Sequence, residues 1–149
     1  MADYCTQGSS LIKIPKSKIP RAKKLLDDFI KKLEHEEPDE TLGFSVEWCD
    51  SVLEDHGVVI YNESYEYLNL DNVEDFIRTL VEKLYLDDIH LFEWSDFCSK
   101  PRPDGFGGGA MAIARGFETI WVNAGLEARR QMEEKTGLNP GDPEITHTF

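Results

Sequence analysis

Basic residues are scarce in the middle of this chain, and this scarcity sets its charge. The 149 residues include 16 lysines and arginines against 29 aspartates and glutamates, a formal net charge of −13. Residues 41–99 hold 14 acidic residues and only two basic ones, Arg78 and Lys83, so their charge is −12. This charge excludes a protein that binds nucleic acid by bulk electrostatic attraction, and it argues against docking on an anionic membrane. It predicts an acidic face that attracts a basic partner protein.

Long apolar runs and closely spaced cysteines are also lacking. No apolar run approaches the roughly 20 residues of a membrane span. The first five residues have neither the basic nor the apolar region of a secretory signal, and the three cysteines are widely spaced. We therefore expect a cytoplasmic protein with reduced thiols.

Patterns that hold metals or build catalytic centres are missing too. The histidines and cysteines form neither an H-x-x-x-H nor a C-x-x-C spacing, and residues 71–75 lack the glycine and final glutamate of a calcium loop. His90 and Cys98 stand about 27 Å apart on a straight strand, too far to act as base and nucleophile. We expect no metal, no cofactor and no catalytic residue.

The periodicity of the apolar residues predicts an α+β fold. Their order gives a ferredoxin-like β-α-β-β-α-β core, followed by an added β-hairpin and a C-terminal helix, with an antiparallel sheet. Ser17 and Asp71 are predicted helix N-caps, and Gly137 is predicted to end the last helix. Residues 1–137 are predicted to form a single domain and 138–149 a loose tail. Strands are predicted over 9–14, 44–49, 57–62, 89–98, 110–115 and 117–122, and helices over about 17–35, 72–85 and 123–135.

Several predicted strands are apolar on both faces. In the strand over 89–98, Ile89 and Leu91 alternate with Phe92 and Trp94, which indicates that both sides are covered. Two helices can cover one side, but the third helix has a weak apolar stripe. Either that helix and the tail cover the second side, or an uncovered aromatic face serves as a site for a partner or for a homodimer.

Glycines are concentrated between residues 105 and 109. They formally match the dinucleotide pattern G-x-G-x-x-[G/A], but a β-type segment follows where that pattern needs a helix. One interpretation is an anion-binding nest, in which backbone N–H groups of the glycines act with Lys100 and Arg102. The other is structural, since small residues permit a bulge or let a neighbouring aromatic side chain lie across the backbone.

The same region carries a family resemblance. The run Cys98-Ser99-Lys100-Pro101-Arg102, followed by Phe106-Gly107-Gly108-Gly109-Ala110, resembles a segment of small acidic proteins of phages, plasmids and bacteria. The similarity extends from about residue 8 to about residue 121. It implies a shared fold and an origin in a mobile element, and it carries over no activity or catalytic residue.

Two functional hypotheses follow, and a homodimer is compatible with either. In the first, the chain is a non-enzymatic acidic interaction protein that engages a basic partner, for example a nucleic-acid-binding protein whose groove accepts carboxylates in place of phosphates. Its candidate contacts are Glu63, Glu66, Asp71, Glu74, Asp75, Asp87 and Asp88. The alternative is a module, enzyme or not, that binds a small anion or a nucleotide. Its candidate residues are Lys100, Arg102, Gly107, Gly108 and Gly109.

Overall fold

A computed structural model describes residues 3–51, 55–63 and 65–138. Within these ranges the chain forms six strands, three α-helices and a short 3₁₀ turn, Lys16–Lys18. The strands are β1 (Tyr4–Lys13), β2 (Ser45–Cys49), β3 (Gly57–Tyr61), β4 (His90–Cys98), β5 (Gly107–Ile113) and β6 (Ile120–Asn123). The helices are α1 (Ile19–Glu36), α2 (Leu70–Lys83) and α3 (Ala124–Thr136).

One antiparallel sheet contains all six strands, in the order β2-β3-β1-β4-β5-β6. β1 lies between β3 and β4, so the two β-α-β units interleave rather than sit side by side. The predicted α+β class is confirmed, as is the antiparallel sheet with a C-terminal helix.

Helices α1 and α2 cover one face of the sheet and run in opposite directions. Lys18, just before α1, donates from Nζ to the carbonyl oxygen of Leu84, just after α2, at 2.6 Å. Phe76 of α2 stacks on Phe44 with ring centroids 5.6 Å apart. Each fully buried side chain of this size stabilises the fold by about 1.5–3 kcal/mol. Fully buried residues of this core include Ile12, Ile14, Val58, Ile60, Val73, Phe76, Ile77, Leu80, Val81, Phe92, Met111 and Ile113.

Some predicted boundaries and caps differ from the structure. α1 follows Lys18 rather than Ser17, and neither side chain caps it. Asn69, not Asp71, is the N-cap of α2, because its Oδ1 accepts a hydrogen bond from the Asn72 N–H at 3.1 Å. Gly137 ends α3 in the left-handed conformation, as predicted, with φ of 73°.

The second face of the sheet is left open by the described helices. Leu91 of β4 and Ile120 of β6 lie on this face and are 52% and 64% exposed. α3 contacts β5 and β6 and buries none of its residues, so it does not cover this face. Of the predicted tail over 138–149, all but Leu138 lies outside the described residues. No helix in the described ranges is long and apolar enough to cross a membrane.

The side chains on the two faces refine the expectation of an uncovered aromatic face. The register places Phe92 and Trp94 of β4 on the helix-covered side, opposite Met111 and Gly109 of β5. Phe92 is fully buried there. Leu91 and Ile120 share the open face with Phe97 of β4, whose ring meets Tyr65 edge to face with centroids 6.0 Å apart. The partly exposed indoles lie on the helix side.

Candidate protein-interaction site

The fold separates the charges of the helical layer into two ends. The start of α2 lies beside the segment that follows α1, because Asn72 of α2 donates from Nδ2 to the carbonyl oxygens of Thr41 and Leu42 at 3.1 and 3.2 Å. The acidic residues of 34–40 and those of the first turns of α2 lie at this end. The lysines between residues 13 and 24 lie toward the other end, where α1 begins.

Asn69 brings one more carboxylate to the acidic end. Its Nδ2 donates to Oε1 of Glu40 at 2.8 Å. Gly43 supports this contact, since its φ is +72° and its carbonyl oxygen accepts from the Asn69 N–H at 2.9 Å. A Cβ on Gly43 would collide with the Asn69 Cβ, so only glycine permits this approach. Glu40 thereby joins Asp71, Glu74 and Asp75, and these four residues are named the acidic patch.

The carboxylates of the acidic patch repel each other. The pKa of Asp75 is raised by partial burial first, and then by the negative charges of Glu74, Asp71 and Glu40. Lys32 of α1 opposes the rise but does not cancel it. The patch therefore holds more negative charge than its surroundings neutralise.

None of the other predicted acidic contacts is among the charges that raise the pKa of Asp75. Asp87 and Asp88 follow α2 at its opposite end, where Arg115 is ion-paired with Asp87 and lowers the pKa of that carboxyl group. Glu63 and Glu66 lie in the connection between β3 and α2. The structure therefore divides the seven predicted residues, and it brings Asp71, Glu74 and Asp75 together with Glu40, which no sequence pattern indicates.

The glycine segment is part of the sheet. Gly107, Gly108 and Gly109 belong to β5 and pair with Asp96, Ser95 and Trp94 of β4. A nest needs a residue in the left-handed region, and none of these three glycines has a positive φ. The structural interpretation fits instead at Gly109, where an added Cβ would lie 2.6 Å from Cζ2 of Trp94.

The two cations of the alternative site stand on the exposed connection between β4 and β5. Lys100 and Arg102 are both exposed, and the Arg102 N–H donates to the carbonyl oxygen of Lys100 at 2.8 Å. Without a glycine nest beside them, anion binding by Lys100 and Arg102 stays a prediction.

A cleft between the sheet and α3 has no counterpart in the sequence patterns. Trp94 and Trp121 meet there edge to face, with ring centroids 6.0 Å apart and planes at 61°. The cleft encloses about 370 Å³ and continues along Leu126, Glu127 and Arg130 of α3. The indole N–H of Trp121 donates to Oε2 of Glu74 at 3.1 Å, which links this tryptophan cleft directly to the acidic patch.

A second cleft lies at the opposite end of the sheet. It encloses about 600 Å³ and is lined by His56, His90, Lys18 and Asp88 among others. Nε2 of both histidines is buried, and no described residue gives either atom a hydrogen-bond partner. Burial lowers the pKa of His90, against the charge of Asp88. Because protein atoms enclose both nitrogens, neither can reach a ligand in this cleft as it stands.

Groups for metal binding or thiol chemistry do not assemble in the described part of the chain. Residues 3–51, 55–63 and 65–138 contain no cluster of three or more histidine, cysteine or carboxylate side chains that could hold a metal ion. Cys5, Cys49 and Cys98 form no disulfide. Burial, followed by the charge of Asp3, raises the pKa of the Cys5 thiol, which disfavours the reactive thiolate.

Comparison of the chain with known protein families, with curated proteins and with solved structures finds no match.

Proposed function

We propose that this protein is a non-enzymatic acidic interaction protein that binds a basic partner protein through the acidic patch. The supporting observation is that the fold holds Glu40 beside the carboxylates of α2, through its 2.8 Å hydrogen bond with Asn69. After burial, which comes first, the negative charges of Glu74, Asp71 and Glu40 raise the pKa of Asp75, so these groups repel it. A cationic partner surface would relieve this repulsion on binding, so the free energy that crowding costs the free protein favours the complex.

The position of the patch suits a fast electrostatic encounter. Its three helical carboxylates lie in the first turns of α2, where the helix dipole favours negative charge, and their spacing of three and four residues places them on one side of the helix. At the opposite end of the helical layer Lys13, Lys23 and Arg115 are ion-paired with aspartates, so the unneutralised negative charge lies at the patch end, where it would orient an approaching basic partner. A basic groove that normally receives nucleic-acid phosphates is the type of surface that fits such an array. The proposal includes a cytoplasmic location and the mobile-element origin that the resemblance of residues 98–110 implies.

Charge reversal with a matched control tests the proposal. The patch variant carries Glu40→Lys, Asp71→Lys and Asp75→Lys. The control carries Asp27→Lys, Asp104→Lys and Glu118→Lys, three exposed residues elsewhere with the same total change in charge. Each immobilised protein is used to capture proteins from a lysate of the source organism at low and at high salt.

The expected result is a discrete basic protein that the wild type and the control retain at low salt and release at high salt, and that the patch variant does not retain. Identification by mass spectrometry then allows its affinity to be measured directly. Equal capture by all three proteins, or capture that is independent of salt, would contradict the proposal.

A further inference from the structure

The tryptophan cleft offers aromatic surface that remains accessible to a partner. Trp121 is 43% exposed and Leu126, on the first turn of α3, is 69% exposed. Trp94 is held against the backbone of Gly109, which leaves no room for a Cβ. The edge-to-face contact between the two indoles fixes both rings, so an incoming group meets a preformed surface.

Carboxylates border this aromatic surface. Glu74 accepts the Trp121 indole N–H through Oε2, and no described residue donates to its Oε1. Glu127 lies on the α3 side of the cleft, and its hydrogen bond with Arg130 lowers its pKa to about 2, so this group is ionised at neutral pH. Arg130 also lines the cleft, but it is ion-paired with Glu127 and Glu134, so on the other side of the rings Glu74 is the carboxylate that has no ion pair among the described residues.

Two other accessible aromatic rings of this protein, those of Trp48 and Tyr85, each have a cation over them. Lys23 places its Nζ 5.8 Å from the centroid of the Trp48 ring, and Arg115 lies 5.5 Å over the ring of Tyr85. Among the described residues no lysine or arginine lies over Trp94 or Trp121 in this way. The rings of Trp94 and Trp121 therefore have carboxylates beside them but, among the described residues, no lysine or arginine of the chain over them, unlike the rings of Trp48 and Tyr85.

We infer that the tryptophan cleft receives an arginine side chain of the basic partner, with its guanidinium plane on the Trp121 indole and its N–H groups directed at Glu74. This inference rests on the proposed function, because the acidic patch would bring the partner to the same surface. Arginine fits better than lysine, since a guanidinium is planar, weakly hydrated and able to stack on a ring while it bonds a carboxylate.

Short peptides with blocked termini test the cleft directly, whatever the identity of the partner. One peptide carries two arginines separated by glycine, and the other has lysines at the same positions. Binding is followed by NMR through the indole N–H signals of the three tryptophans, Trp48, Trp94 and Trp121. We expect the arginine peptide to shift the Trp121 signal and leave the Trp48 signal unchanged, and to bind several-fold more tightly than the lysine peptide.

Two variants probe the cleft, and one neighbouring residue serves as control. Trp121→Leu removes the ring. Glu74→Gln keeps an acceptor for the Trp121 N–H but removes the charge, so it retains the local structure. Each should weaken binding of the arginine peptide by about 5- to 10-fold, which corresponds to about 1–1.4 kcal/mol. Glu93→Gln makes the same charge change next to Trp94 in sequence but on the open face of the sheet, and it should change affinity less than 2-fold, or roughly 0.4 kcal/mol.

The outcomes separate this inference from the proposed function. A Trp121→Leu variant that binds as the wild type does, or equal affinity for both peptides, would overturn the arginine site. If the patch variant with three lysines still fails to capture the basic partner in that case, the proposed function stands. Partner capture that survives in the patch variant contradicts the proposed function, whereas the arginine site is decided by the peptide measurements on Trp121 and Glu74, both of which the patch variant retains.

Discussion

Asn69 donates a hydrogen bond from Nδ2 to Oε1 of Glu40 at 2.8 Å, across 29 positions of sequence. The same side chain caps α2 through Oδ1. One buried amide therefore begins the helix that carries three carboxylates of the acidic patch, and it also holds the fourth, Glu40, in place.

Substitution of Asn69 should separate these two roles. Serine retains the cap but is too short to reach Glu40, so Asn69→Ser should lower the free energy of unfolding by about 1 kcal/mol. Asn69→Ala loses the cap as well, and its loss should be about 2 kcal/mol. Urea denaturation measures both values. Asn123→Ala removes the cap of α3, which buries no residue, so global stability should change by less than about 1 kcal/mol. Equal losses for Asn69→Ser and Asn69→Ala would contradict the capping role.

Asp75 should make the folded protein less stable at neutral pH. Its pKa is raised on folding, so the folded state binds more protons than the unfolded state, and stability falls as pH rises above the ordinary carboxyl value of 3.8. Asp75→Asn removes this cost. At neutral pH we expect a small increase in Tm, about 1–2 °C, because water screens this partly exposed group.

The same variant should also bind the basic partner more weakly. Asp27→Asn, at an exposed position on α1, should leave Tm unchanged within about 1 °C. Thermal scans at neutral and acidic pH measure both Tm values, and a lower Tm for Asp75→Asn at neutral pH would show that the ionised Asp75 does not destabilise the fold.

Two glycine-to-alanine substitutions should have opposite effects. A Cβ on Gly109 would collide with the Val122 carbonyl oxygen and lie 2.6 Å from Trp94, so Gly109→Ala should destabilise the protein by about 1–3 kcal/mol. At Gly125 in α3 the nearest atom is 3.6 Å away, and alanine should leave the fold intact and favour the helix by about 0.5–1 kcal/mol. Denaturant titration and helical circular dichroism distinguish the two. A neutral Gly109→Ala would show that β5 and Trp94 can separate without cost.

His90 should make stability depend on pH below neutrality. Burial lowers its pKa in the folded state, so the unfolded state binds more protons and stability falls as pH drops below about 6.5. His90→Leu removes the titrating group and its unpartnered Nε2, and its stability should vary less between pH values of about 7 and 5. His35→Gln, at an exposed position on α1, is the control and should retain the wild-type slope. Identical slopes in all three proteins would assign the pH dependence to other groups.

The open face of the sheet should join two copies of the chain. Leu91 and Ile120 would be removed from water in a dimer built on this face. Light scattering should give twice the chain mass of 17.0 kDa, and Leu91→Lys with Ile120→Lys should halve it. Phe117→Lys, at another exposed apolar position, should leave the dimer intact. A wild type that stays monomeric as its concentration rises would rule this interface out.

Periodicity is enough to predict most of the fold. The helices show apolar stripes and the strands alternate, so their order follows from local pattern. The first half of β1 is not predicted, because residues 4–8 show no alternation of apolar and polar side chains. These residues belong to the sheet because they pair with β4, and the Thr6 hydroxyl also donates to Oδ1 of Asp96 at 2.6 Å. The predicted strand begins only at residue 110, because glycine is disfavoured in strands. Pairing with β4 places Gly107, Gly108 and Gly109 in β5 as well.

The candidate site depends more on contacts between distant residues. An excess of acidic residues is visible in the sequence, but their grouping is not. Asp87 is separated from Asp71 by the length of α2, whose 14 residues span about 21 Å. Glu40 joins the patch through Asn69, and Trp121 joins it through Glu74. No sequence period encodes these contacts.

The central place of β1 has a kinetic consequence. Its partners are β3 and β4, so residue 9 pairs with residue 61 and residue 4 with residue 98. Contacts this distant along the chain slow folding, because long loops must close before any pairing is gained. Until β4 has been synthesised, the first strand has one edge without a neighbour, and that edge can pair with another chain. The nascent protein can therefore cover this edge only after residues 90–98 have left the ribosome.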